Sequence, residues 1–166
     1  MNQPVNELEA LRTAHIRRLT SPVLFGLYLL ARIPSAFFMG IRLHSVNPKE
    51  ASVILPFWYM TKNPFRSVYF AAQCGAAELS TGVLATIAIQ GMGRVRMLVS
   101  GFEMEFVKKA TSRVIFTCSE GDLIQKAVQK AVATGEKQMV EIQTVGVDKH
   151  GEVVSKSRIT WYFRGE

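Results

Sequence analysis

Residues 67–90 read SVYFAAQCGAAELSTGVLATIAIQ. Ser67 is suited to cap a helix, and Val68 to Gln90 are helix-compatible and apolar on nearly every side. A helix that is apolar all round is buried all round. Ala71 to Ile89 is long enough to cross a bilayer, but Gln73, Glu78, Ser80 and Thr81 fall near its middle. A carboxylate in lipid is costly, so a soluble core helix is expected. Ala72, Gly75, Ala76, Leu79 and Gly82 recur at spacings of three and four and leave one face nearly bare. A glycine inside a helix costs about 1 kcal/mol relative to alanine, so both glycines imply a close neighbour. A curved sheet wrapped around the helix would supply it.

Strand patterns surround this helix. Upstream, Ile41 and Leu43 alternate with Arg42 and His44, and Ala51, Val53 and Leu55 alternate after Asn47-Pro48. Strands are expected from Phe37 onward. Downstream come Val95 to Lys108, as one strand or two broken near Gly101, then Arg113–Cys118, Gln138–Val147 and Val153–Arg164. Ile159, Trp161 and Phe163 share one face of the last strand. Ser119-Glu120-Gly121-Asp122 has the pattern of a capping box opening a short helix, and Gly135 closes it. Asp148-Lys149-His150-Gly151 reads as a hairpin turn. At the start, Asn6–Leu19 reads as an amphipathic helix, and Ser21-Pro22 opens a short apolar helix that Pro34 ends. The class is α+β, with helices segregated from a mostly antiparallel sheet. Residues 1–34 form a helical extension, and residues 35–166 form the main domain.

Composition narrows the function. The net charge of +7 suits an anionic partner, whether a phosphorylated cofactor, nucleic acid or an acidic membrane surface, but the basic residues are scattered. No aromatic-basic motif favours nucleic acid. The charged fraction of 20% leaves room for a buried subunit interface. Cys74 and Cys118 read as buried thiols in a reducing, cytoplasmic setting, and His15, His44 and His150 lack ligand spacing, so no metal is expected. Gly91-Met92-Gly93 follows a helix instead of a strand and reads as a plain turn. The apolar run Val23–Leu30 is interrupted by Arg32 and Pro34, and neither a membrane span nor a signal peptide fits it.

Glu78 is the only ionisable acid or base between Arg66 and Arg94. Burying a lone carboxylate raises its pKa and marks it for acid-base or nucleophilic work. The other reading is a structural carboxylate paired to a strand lysine or arginine. Physics alone leaves both open.

The stretch Asn63-Pro64-Phe65-Arg66-Ser67 through Ala77-Glu78-Leu79-Ser80-Thr81-Gly82, with the strand-strand-helix-strands order, resembles the hotdog-fold thioesterases of the phenylacetyl-CoA type. It is most similar to their uncharacterised bacterial branch, domain of unknown function 4442. The resemblance covers roughly residues 35 to 164. It implies a long central helix wrapped by a curved antiparallel sheet, and hydrolysis of an acyl-CoA or acyl-carrier thioester without a cofactor. It also implies a homodimer or a pair of dimers, with the site between subunits and no stable membrane insertion. Glu78 takes the place of the family's catalytic carboxylate, and Ala71 that of the glycine whose N–H polarises the carbonyl. Asn63 lies about one residue from a loop asparagine of some relatives and joins Glu78 and Ala71 as an expected catalytic residue. Tyr69 and Phe70 stand where the family has histidine and glycine. Tyr69, Phe70, Gln73, Arg66 and Lys108 are the expected substrate-binding residues, with Lys62, Arg66, Lys108 and Lys109 toward the CoA phosphates. Some hotdog proteins bind acyl-CoA or lipid without hydrolysis, and that alternative stays open.

Overall fold

The computed structural model describes residues 5–166. Helix α1 (Val5–Thr20) leads into α2 (Pro22–Arg32), where the Ser21 hydroxyl accepts from the Leu24 N–H and Pro22 occupies the first turn. Pro34 ends α2 and also opens a third helix, α3 (Pro34–Phe38). Phe37 and Phe38 are therefore helical, and the first strand, β1 (Arg42–Val46), begins later than the alternation suggested. The proline ring clashes only with the turn before it, so one residue both stops a helix and starts the next.

Strand β2 (Ala51–Leu55) and a single turn at Tyr59–Thr61 precede the long helix α4 (Phe70–Ala88). After α4 come β3 (Val95–Phe106), β4 (Val114–Cys118), helix α5 (Gly121–Thr134), β5 (Gln138–Asp148) and β6 (Val153–Gly165). Six antiparallel strands form one sheet in the order β1-β2-β4-β5-β6-β3. β3 is a single strand with a bulge between Val99 and Gly101.

α4 packs on β2, β4, β5 and β6, with α5 beside it. Its buried alanines share one hydrophobic core with Val53, Phe116, Ile142, Ile159 and Phe163 from the sheet. Two polar links fix its position: Ser80 Oγ lies 2.9 Å from Thr144 Oγ1, and the Trp161 indole donates to Thr81 Oγ1 at 2.9 Å.

Three local expectations change. Ser67 does not cap α4; Tyr69 holds that position without a side-chain bond, because the Ser67 hydroxyl is engaged by Asn63. The capping box at α5 does not form: Ser119 donates to Glu50, and the Glu120 carboxylate accepts from the Gln143 N–H. Gly82 has the predicted close neighbour, with Trp161 ring carbons 3.6 and 3.7 Å from the place a Cβ would take, but Gly75 has nothing within 4 Å. The sheet touches one part of the bare face and leaves the other open.

Candidate active site

Positions i, i+3, i+4 and i+7 of a helix lie on one face. On α4 these are Ala71, Cys74, Gly75 and Glu78, and all four line a cavity of about 360 Å³. Its opposite walls come from Ile33, Ala36 and Met39 around α3 and from Phe102 of β3. A smaller cavity of about 150 Å³ continues past Glu78 between Tyr28, Gly82 and Trp161. Glu78 stands on the wall common to both.

The carboxylate has no cation partner among the described residues. Burial pushes its pKa above the ordinary carboxylate range. Tyr28 is raised too, first by burial and then by the negative charge of Glu78. The structural reading of Glu78 required a lysine or arginine beside it, and among the described residues none is there.

The first turn of α4 reaches the larger cavity through Ala71. Ala72 and Gln73 both donate to the Tyr69 carbonyl, at 3.1 and 3.2 Å. The Ala71 N–H has no backbone acceptor among the described residues. It is one of the orphan donors every helix start carries, and the helix dipole adds positive potential there.

A second pocket, of about 520 Å³, lies around the same helix start and gathers Asn63, Tyr69, Phe70, Gln73 and Lys108. Tyr69 and Phe70 stack edge to face, with centroids 4.9 Å apart. Gln73 is buried; its Nε2 donates weakly to the Val68 carbonyl at 3.4 Å, and its Oε1 has no partner among the described residues. Lys108 pairs with Glu152. The Asn63 side chain builds a turn: its Oδ1 accepts from the N–H of Phe65 at 3.0 Å and of Ser67 at 3.1 Å. Arg66 is exposed at φ 58° and lines neither pocket.

The residues singled out in the sequence thus fall into groups. Ala71 and Glu78 share one cavity, six others, Lys109 among them, share the second, and Arg66 and Lys62 line neither, Lys62 lying over the Phe57 ring. The roof of the Glu78 cavities is not legible in local spacing, since Tyr28, Ile33, Ala36 and Met39 belong to or adjoin α2 and α3. One signal was available: Tyr28 is the only polar uncharged side chain in the run from Pro22 to Ile33. Among the described residues no group of histidine, cysteine and carboxylate side chains could hold a metal ion.

A family model described as "Domain of unknown function (DUF4442)" matches residues 23–163. Among solved structures, the chain is similar to a protein of unknown function from Pseudomonas aeruginosa described as a probable thioesterase. The identity is 21% and the TM-score 0.75, over 87% of this chain and 97% of that one. It is also similar to a protein of unknown function from Chlorobaculum tepidum, at 12% identity and TM-score 0.74, over 90% and 99%. A Haemophilus influenzae thioesterase matches at 13% identity and TM-score 0.66, over 84% and 88%. No curated protein matches. Likeness at these identities establishes the hotdog fold.

Proposed function

From the premise that the chain belongs to the DUF4442 family and has the hotdog fold, we propose that it is a thioester hydrolase acting on an acyl-CoA or acyl-carrier thioester. The observation that carries this reading is the cavity that Ala71 and Glu78 share, with a carboxylate that has no cation partner among the described residues and an open floor at Gly75. The Ala71 N–H would stabilise the oxyanion. Glu78 would act as general base on a water, or as nucleophile, and its raised pKa brings it closer to neutrality, where such a base works best. A thiolate leaves readily and needs little acid assistance, so a site this sparse is chemically sufficient.

The apolar walls from Ile33, Ala36, Met39 and Phe102 suit an acyl chain. The second pocket suits the polar carrier arm, since Lys108 and Lys109 line it beside Asn63 and Tyr69. Phe70 in place of a glycine does not close the Glu78 cavity, because it lines this second pocket.

The test is thiol release from short, long, branched and aromatic acyl-CoAs by the parent and by Glu78→Gln. Turnover by the parent, falling on the order of 10²–10⁴-fold in the variant, is expected. Melting stabilised by an acyl-CoA without turnover would assign the protein to the non-hydrolytic binders. Unchanged turnover in Glu78→Gln would remove Glu78 from the mechanism.

A further inference from the structure

Helix α2 is apolar on every side, yet only Phe25 and Leu29 are buried. Val23, Leu24, Leu27 and Leu30 are exposed, Val23 at 70% and Leu27 at 57%. A helix of this composition has an unmet partner on its outer face. The exposure continues around it. Phe38 and Tyr59 are exposed, Tyr59 at 86%. Trp58 ties the two regions together, since its indole donates to the Met39 carbonyl at 2.9 Å and it lines one apolar groove with Pro22 and Phe37.

Charge decides what covers this face. From Ala10 to Pro48 the chain has five arginines and no aspartate or glutamate. Arg12 turns inward, to the Ala88 carbonyl and Gln125. Arg17, Arg18, Arg32 and Arg42 are exposed, and none makes an ion pair among the described residues. Arg17 and Arg18 stand just before α2, and Arg32 ends it. A second copy laid on this face would bring the same uncompensated arginines against these. An anionic lipid surface neutralises them while its acyl region takes the leucines. Length agrees: eleven residues of helix span about 16 Å, half a hydrocarbon core, which suits a helix lying in the interface. Among the described residues no helix is long and apolar enough to cross a membrane. Exposed Trp and Tyr beside the helix match the ring chemistry of the lipid–water boundary.

We propose that α2, α3 and the Tyr59–Thr61 turn form a peripheral docking face for an anionic lipid bilayer. The proposal is independent of hydrolysis at Glu78. It is tested by co-sedimentation of the full chain with vesicles of phosphatidylcholine alone and of phosphatidylcholine mixed with phosphatidylglycerol. Binding to the mixed vesicles only, weakened by salt, is expected. Leu24→Asp with Leu27→Asp should reduce it by about tenfold or more. Arg17→Glu with Arg18→Glu, at exposed positions, should weaken it as well, and keeps the test open if the leucine variant does not fold. No sedimentation of the parent with mixed vesicles overturns the proposal, as does parent-like binding by the folded variants. Dissociation of an oligomer by the leucine variant, with no vesicle binding by the parent, assigns the face to a second copy.

Discussion

Gly75 separates two kinds of glycine on one helix. At Gly82 an added Cβ would meet the Glu78 carboxylate at 3.3 Å and Trp161, whereas at Gly75 it would meet nothing. The expectation of a tightly packed Gly75 rested on the cost of a helical glycine, and that cost is instead the condition for an empty cavity floor. Gly75→Leu should therefore melt like the parent or above it, while filling the path between Ala71 and Glu78. Turnover should fall on the order of 10²-fold or more if substrate lies along this groove. Paired melting and thiol-release measurements check it, and a large loss of stability would show that the floor is packed. Glu78 gives a pH signature at the same scale. Its folded pKa is raised above the ordinary 4.5. Its contribution to stability is thus fully present below the unfolded value and is lost as pH rises through the folded one. Glu78→Gln cannot ionise, so its melting temperature should be close to the parent's in acid and exceed it at neutral pH. A variant less stable than the parent at neutral pH would reveal a charge partner for Glu78.

In the turn before α4, one side chain organises the local backbone. Asn63 holds the N–H of Phe65 and Ser67 and the Ser67 hydroxyl, and Arg66 sits in the left-handed region inside that turn. Asn63→Ala should cost about 1–3 kcal/mol by freeing these groups. Thermal unfolding would detect it, and a rate loss at parent-like stability would instead favour a direct role for Asn63 in turnover. The same turn explains what the sequence could and could not tell. α4 and the strands after it were legible because burial leaves a period: Ile159, Trp161 and Phe163 on one face of β6, apolar residues on all sides of α4. The site was half legible. Glu78 stood out as a lone charge, but Tyr28, Ile33 and Met39 reach it only through tertiary packing, which leaves no mark in local spacing. Ser67 and Ser119 misled for a related reason. A hydroxyl in a capping pattern will take a better acceptor when the fold brings one near, here Asn63 and Glu50.

At the scale of the molecule, the sheet has two unequal edges. β1 is five residues long, irregular, and lies against α1 and α2. β3 is twelve residues long, and its outer edge has no partner among the described residues. A long open edge is a template for another strand. Phe102 of β3 lines the Glu78 cavity, so a strand added there would adjoin the site. Reach supplies an independent reason for a second copy. Ala71 and Glu78 are two turns apart, about 10.5 Å along the axis, whereas a nucleophile must come within about 3–3.5 Å of the carbonyl. A glutamate side chain leaning toward the helix start closes only part of that gap. Within one copy Glu78 therefore reaches a carbonyl held at Ala71 through a water, as general base, whereas direct attack needs the carboxylate of a neighbouring copy. We expect a dimer by light scattering at micromolar concentration; the direct route places the acid on one subunit and the N–H on the other. Ala71→Pro removes the N–H in the first turn, where proline is tolerated, and Glu78→Gln removes the base. Each alone should be inactive. Mixed in equal amounts and allowed to exchange, half the dimers would be hybrids, each with one intact site, and about a quarter of parental activity should return. A stable monomer would exclude the shared site. A dimer whose hybrids stay inactive would leave Ala71 and Glu78 acting within one subunit, with a water molecule spanning the gap.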